Sequence, residues 1–234
     1  MAKSKIIKDL ANGEVDTTTA LKRAKVLISE LQDNELLNWI NQEISGYPME
    51  ATLPGYRIVE GNLLGSYLKG SMAAHMKYSN VSLPLGKMPD DLRSKLLTLQ
   101  FREGIEALKS LLESAKTDKD GQIGKIIPAD FFGVISTYNK DPYMIITSAK
   151  VVIGPQHIQN IFSVIENKLL DILLLLEKEF GSLDELDIDV SCKTTEELQN
   201  ISKEMHVLVY NDFSVKVGDN NKIKESSITS SKKT

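Results

Sequence analysis

The chain has 234 residues, enough for one large domain or one domain with an appendage. Its 41% hydrophobic and 26% charged residues are ordinary for a soluble globular protein, and a net charge of -4 argues against a nucleic-acid surface spread over the whole molecule, though not against a local basic patch. The single cysteine, Cys192, excludes an intramolecular disulfide.

The N-terminal MAKSKIIKDL is charged and lacks the apolar centre of a secretion signal, so a cytoplasmic protein is expected. Residues 3–12 read as a short helix stopped by Gly13, with Ile6, Ile7 and Leu10 on one side. Asp16 or Thr17 is placed to cap a second helix, and Asp33 or Asn34 a third. Leu21, Ala24, Ile28 and Leu31 form the stripe of the second; Leu36, Leu37, Ile40 and Ile44 form that of the third. Ser45-Gly46-Tyr47-Pro48 ends the lead-in, since the residue before a proline avoids helical geometry.

From Pro54 the texture becomes β-branched and aromatic. A hairpin is expected over 56–60 and 63–69, turning at Gly61-Asn62, with a further strand plausible before Leu85. Gly65 and Gly70 read as turn or bulge positions. Pro89-Asp90-Asp91 starts a helix whose spacing carries to about Ser114, with a kink at Gly104. Thr117–Gly124 is the best loop candidate, 128–138 a short helix and Ser148–Ile153 a strand.

Pro155 to Gly181 then reads as one long helix, Pro155 at its first position and Gly181 past its end. At 1.5 Å per residue it spans roughly 39 Å. Ile158, Ile161, Ile165, Leu169, Ile172, Leu173 and Leu176 give it a stripe that becomes almost wholly apolar, which marks a central core helix. Its apolar run from Ile172 to Leu176, cut off from Leu170 by Asp171, is far below the roughly 18 residues of a membrane span. Asp171 and the acidic pairs Glu177/Glu179 and Asp184/Glu185 read as solvated surface. Thr194 with Glu197 forms a capping box for a last helix, whose HVLVY end is β-branched enough to become strand. In the tail, Phe213, Val215, Val217, Ile223 and Ile228 alternate with polar residues around Gly218–Asn221. Residues 213–229 are therefore expected either to pair with another copy or a partner protein, or to form a solvated end. The whole reads as α+β and predominantly helical: a helical bundle around one long central helix with a small β-hairpin or sheet.

Catalytic signatures are missing from the sequence. His75, His157 and His206 lack ligand spacing, so no metal is expected. There is no P-loop, dinucleotide fingerprint or nucleophile elbow, so no cofactor is expected. The most suggestive polar group is Trp39, Glu43, Tyr47, Tyr56 and Arg57. Glu43 lies one turn after Trp39, and Arg57 follows a turn that brings it into reach of a carboxylate. Two roles stay open: a structural joint with an internal Glu43–Arg57 pair, or a binding pocket formed by Glu43, Tyr47, Tyr56 and Arg57.

WINQEISGYP, then LPGYRIV, then IENKLLDILLLLEKEFG resemble the AbiTii-like domain of bacterial abortive-infection proteins. That family shows a W-I-x-x-E-x-x-G-Y segment, a Tyr-Arg strand and a helix of the type V-R-N-[RK]-L-L-D-x-x-L-x-L-E. Here Ile165, Asn167, Lys168, Leu169, Leu170, Asp171, Leu174, Leu176 and Glu177 hold the last motif; Glu166 replaces a usually basic residue. The resemblance covers about 1–212, and the tail looks like those that follow this domain. It implies an AbiTii-like domain over 1–183, a helical extension over 184–212 and a tail over 213–234. It also implies phage defence, without naming catalytic residues. The expected action is binding or assembly as a sensor, adaptor or toxin. The alternatives are an enzyme toxin, a nuclease or nucleotide hydrolase with a site near 43–57, and a membrane-acting toxin.

Overall fold

The computed structural model describes residues 3–210 except 72, 118–120 and 142. The helices are α1 (Lys5–Ala11), α2 (Thr17–Ser29), α3 (Asn34–Ser45), α4 (Asp90–Leu97), α5 (Ile105–Thr117), α6 (Phe132–Asn139), α7 (Gln156–Phe180) and α8 (Thr195–Tyr210). The strands are β1 (Ile58–Glu60), β2 (Asn62–Ser71), β3 (Ala74–Ser82), β4 (Thr98–Gln100), β5 (Ile123–Ile126) and β6 (Met144–Ile153). The fold is α+β and mostly helical, with a small antiparallel sheet.

Local chemistry fixes the helix starts. Asp16 accepts the N–H groups of Thr18 and Thr19, and Asp33 those of Glu35 and Leu36. Thr194 and Glu197 close the expected capping box at α8. Each cap satisfies donors that the first helical turn leaves orphaned.

The sheet runs β3-β2-β6-β5, all antiparallel. Along β6, Ser148 faces Ser66 but Ile146 faces Tyr67, so Thr147 is an extra residue. Met144 and Ile146 are buried before this bulge, and Ala149, Val151 and Ile153 after it. The bulge shifts the alternation by one residue and keeps both sets inside.

α7 is 25 residues long and packs against α1, α2, α5 and α8. Ile158, Ile161, Ile165, Leu169, Ile172, Leu173 and Leu176 are all inaccessible to water. Asp171 is exposed, as expected. Glu166 turns to α2 and accepts the Thr17 hydroxyl at 2.5 Å, while Lys168 turns to α8.

Several expectations are corrected. The hairpin at Gly61-Asn62 does not form. β1 pairs with β4 in a separate two-stranded ladder, and β2 pairs with β3 and β6. Gly61 is required for close approach: a Cβ there would stand 2.7 Å from Val151 Cγ1 and 2.8 Å from the Val152 carbonyl. The single helix from Pro89 to Ser114 is split by β4. Gly104 marks no kink; a side chain on it would collide with the Ile44 carbonyl. The loop expected over Thr117–Gly124 is shorter, because α5 includes Thr117 and β5 starts at Ile123. Pro155 is the N-cap of α7, one residue before the first position. The HVLVY segment stays helical. Glu177 is no solvated carboxylate: it accepts Ser4 N–H at 2.6 Å, Ser4 Oγ–H at 2.7 Å and Lys3 Nζ at 2.6 Å. It clasps the N-terminus to the end of α7. Asp184 likewise accepts the Lys5 N–H at 2.6 Å. The tail expectation over 213–229 lies outside the described residues.

Candidate functional site

Glu43, Tyr47, Tyr56 and Arg57 come together in one cluster. α3 buries Trp39 and Glu43 on successive turns of one face. Gly46 ends the helix at φ +102, and the Tyr47 N–H donates to the Arg102 carbonyl at 2.7 Å. A single 3-10 turn over Gly55–Arg57 then swings Tyr56 and Arg57 back onto α3. Glu43 and Arg57 are wholly inaccessible, and Tyr47 is buried with them.

Each Glu43 oxygen takes two donors. Oε1 accepts the hydroxyls of Tyr47 and Tyr56, both at 2.5 Å. Oε2 accepts Arg57 Nε at 3.1 Å and Arg57 Nη2 in a fork. Arg57 Nη1 donates onward to the carbonyls of Phe101 at 3.0 Å and Glu103 at 2.7 Å. The guanidinium also lies 4.9 Å from the centre of the Tyr47 ring. A buried pair is tolerated when its remaining lone pairs and protons are filled in this way. Burial, and then the neighbouring Glu43 charge, push both tyrosine hydroxyls above the usual phenol range. They remain protonated donors.

A second layer joins this cluster to α8. Trp39 Nε1 donates to the Tyr56 hydroxyl at 3.1 Å. Lys168 Nζ lies 5.8 Å from the Tyr56 ring centre and donates to the carbonyls of Leu208 and Val209 at 3.1 and 2.9 Å. A cation at a helix C-terminus satisfies free carbonyls and complements the helix dipole. Further along α8, His206 Nε2 lies 2.9 Å from Asp33, whose carboxylate also takes the Ser202 hydroxyl. Between α3, the 52–56 turn and the end of α8 lies a cavity of about 340 Å³. Its walls include Trp39, Tyr47, Leu53, Pro54, Tyr56 and Tyr210. A larger open slot of about 660 Å³ lies between β4 and β5, and its lining includes Phe101 and Glu103, whose carbonyls take Arg57.

Sequence reasoning found the four core members through the turn between α3 and Arg57. It missed the Phe101 and Glu103 carbonyls and the part played by Lys168. Backbone acceptors leave no mark in a sequence; Lys168 was visible only as a member of the α7 motif. Among the described residues, no three His, Cys, Asp or Glu side chains are grouped to hold a metal ion, and no helix is long and apolar enough to cross a membrane.

The AbiTii family model matches residues 4–201. The chain belongs to the AbiTii family. The match takes in the whole Glu43–Arg57 cluster and runs into α8. Comparison with curated proteins and with solved structures returned no match. AbiTii membership points to abortive infection and phage defence.

Proposed function

We propose that this AbiTii protein acts in phage defence by binding and assembly in the cytoplasm, as a sensor, adaptor or toxin, rather than by catalysis at the 43–57 corner. The saturation of Glu43 supports this most strongly. A general base needs a free lone pair near the proton it takes, and both Glu43 oxygens are already filled. The cluster therefore acts as a structural lock, and Tyr47 and Tyr56 take part in binding as walls of the adjoining cavity. Residues 1–183, built around α7 as the central helix, form the folded body; 184–212 extend it. Residues 213–229 dock on another copy or on a partner protein through their alternating apolar side chains. A membrane-acting toxin would have to expose Leu169, Leu173 and Leu176, which are wholly buried.

Thr52 lines the cavity without touching Glu43. Filling the cavity with Thr52→Trp, with the circular dichroism spectrum kept native, should change the outcome of phage challenge: protection is lost, or growth stops without phage. Unchanged protection would overturn the binding role of the cavity. Turnover of nucleic acid or nucleotides by the purified protein, lost on Tyr56→Phe, would restore the enzyme alternative.

A further inference from the structure

We infer that the slot between β4 and β5, with the apolar groove that continues from it past Lys95 and Lys125, docks an extended segment of a partner protein. The segment adds as a strand to the free edge of β5 and carries an acidic side chain close to a large apolar one. The site is separate from the cavity beside Tyr56 and from the tail, and it stands independently of both.

Two strand edges are left facing the slot. On either side of the β1–β4 ladder, the Phe101 N–H donates to the Arg57 carbonyl and the Gly61 N–H to the Leu97 carbonyl. Main-chain groups alternate in direction along an antiparallel strand, so Thr98 and Gln100 turn their carbonyls away from β1. At the end of β5, the Ile127 N–H donates to the Ala149 carbonyl of β6, so Gly124 and Ile126 turn their groups away from β6. Thr98, Gln100 and Gly124 all line the slot. Among the described residues, no strand pairs with β4 or β5 on these sides. Such a row of unpaired groups is a template for another extended chain. Arg57 holds the Phe101 and Glu103 carbonyls at one end of the slot, so the β4 edge is fixed before anything binds.

The side chains of the segment follow from what surrounds these edges. Lys95 and Lys125 line both the slot and the groove beyond it. Lys125 Nζ crosses to the Thr98 carbonyl at 2.6 Å, a neutral acceptor. Burial pushes its ammonium below the usual lysine range, and Glu103, the acidic residue of the slot lining, does not counter this. A carboxylate beside a partly buried ammonium favours its charged form. An incoming main-chain N–H takes over the Thr98 carbonyl and leaves Lys125 for that carboxylate. Past the lysines, a groove of about 360 Å³ lies between α4, the end of β5 and α6. Leu92, Ile126, Phe131 and Val134 line it and are exposed, Ile126 by 84%. A group of exposed apolar side chains around one groove marks a contact surface. The four residues of β5, at roughly 3.3 Å each, run from slot to groove, so a strand of similar length meets both.

The test selects a random heptapeptide library on the full chain and measures the enriched peptide, made synthetically, by fluorescence anisotropy. Enriched peptides should carry Asp or Glu within two positions of a large apolar residue. Ile126→Pro removes an outward N–H and leaves the pairing with β6 whole. With a native circular dichroism spectrum, it should weaken binding about tenfold, the worth of a main-chain hydrogen bond, while Ile126→Val should bind as the wild type does. Lys95→Glu should also weaken binding, and a peptide with its acid replaced by lysine should bind this variant better than the wild type. Enriched peptides without an acid, or equal binding by Ile126→Pro, would overturn the strand site. A wild-type chain that dimerises in light scattering, and is monomeric as Ile126→Pro, would seat a second copy in the slot and overturn the foreign partner.

Discussion

Glu43 and Arg57 are held by complementary numbers of donors and acceptors: two hydroxyls and a guanidinium edge on the carboxylate, two carbonyls on the remaining guanidinium nitrogen. Such a network stabilises only when complete, because any member left alone is a desolvated polar group. Arg57→Ala removes the partner of a buried carboxylate and should lower stability by about 3–5 kcal/mol, read from denaturant midpoints. A loss below about 1 kcal/mol would show that water enters the corner. A charge exchange, Glu43→Arg with Arg57→Glu, should recover little. It would aim a carboxylate at the Phe101 and Glu103 carbonyls, which need a donor. Tyr47→Phe leaves one Oε1 donor and should cost about 1.5–3 kcal/mol, the range for a hydrogen bond to a charged group. An unchanged midpoint would mean that the Tyr56 hydroxyl alone satisfies that oxygen.

At the scale of elements, α7 and the clasp at its end dominate. Leu173 is wholly buried in α7, and Leu173→Ala should cost about 2–5 kcal/mol through lost burial and the cavity left behind. A cost under about 0.5 kcal/mol in denaturant melts is a surface value and would contradict the packing. Glu177 gives α7 a dependence on pH. Partial burial works to raise its carboxyl, but the bonds from Lys3 and Ser4 outweigh it and hold the group down from 4.5 to about 2. The folded state therefore binds fewer protons there than the unfolded one. The clasp's contribution is complete above pH 4.5 and is lost as pH falls toward about 2. Hydrogen exchange at Ser4–Ile7 should accelerate over that window, and Glu177→Gln should abolish the dependence. The same elements show what a sequence makes legible. Asp16, Asp33 and the Thr194–Glu197 box were readable because a cap is satisfied within three residues. The α7 stripe was readable because its period repeats many times. The Gly61 hairpin was misread because that glycine answers to Val151, 90 positions away, and not to a turn. β4 was hidden because Leu96, Leu99, Phe101 and Ile105 imitate helical spacing, while its real determinant is pairing with β1. Of the candidate site, the acid, the arginine and the tyrosines were legible. The carbonyls and the lysine that complete it depend on tertiary placement.

At the scale of the whole molecule, the body and the tail differ in sequence character. The body carries the family-matched span and the closed Glu43–Arg57 lock. The tail carries apolar alternation too short to form a sheet alone. Ending the chain after Asn211 should reduce the mass of any assembly in light scattering and leave the helical circular dichroism signal intact; an unchanged mass would leave 213–229 as a solvated end. The same truncated chain gives the most direct test of action by binding rather than by chemistry in the body. Plaque formation should be counted on cells expressing it with its genomic neighbours, beside cells expressing the full chain. Action through the tail requires that protection be lost although the body remains folded. Full protection by the truncated chain would contradict the account and return the activity to the body.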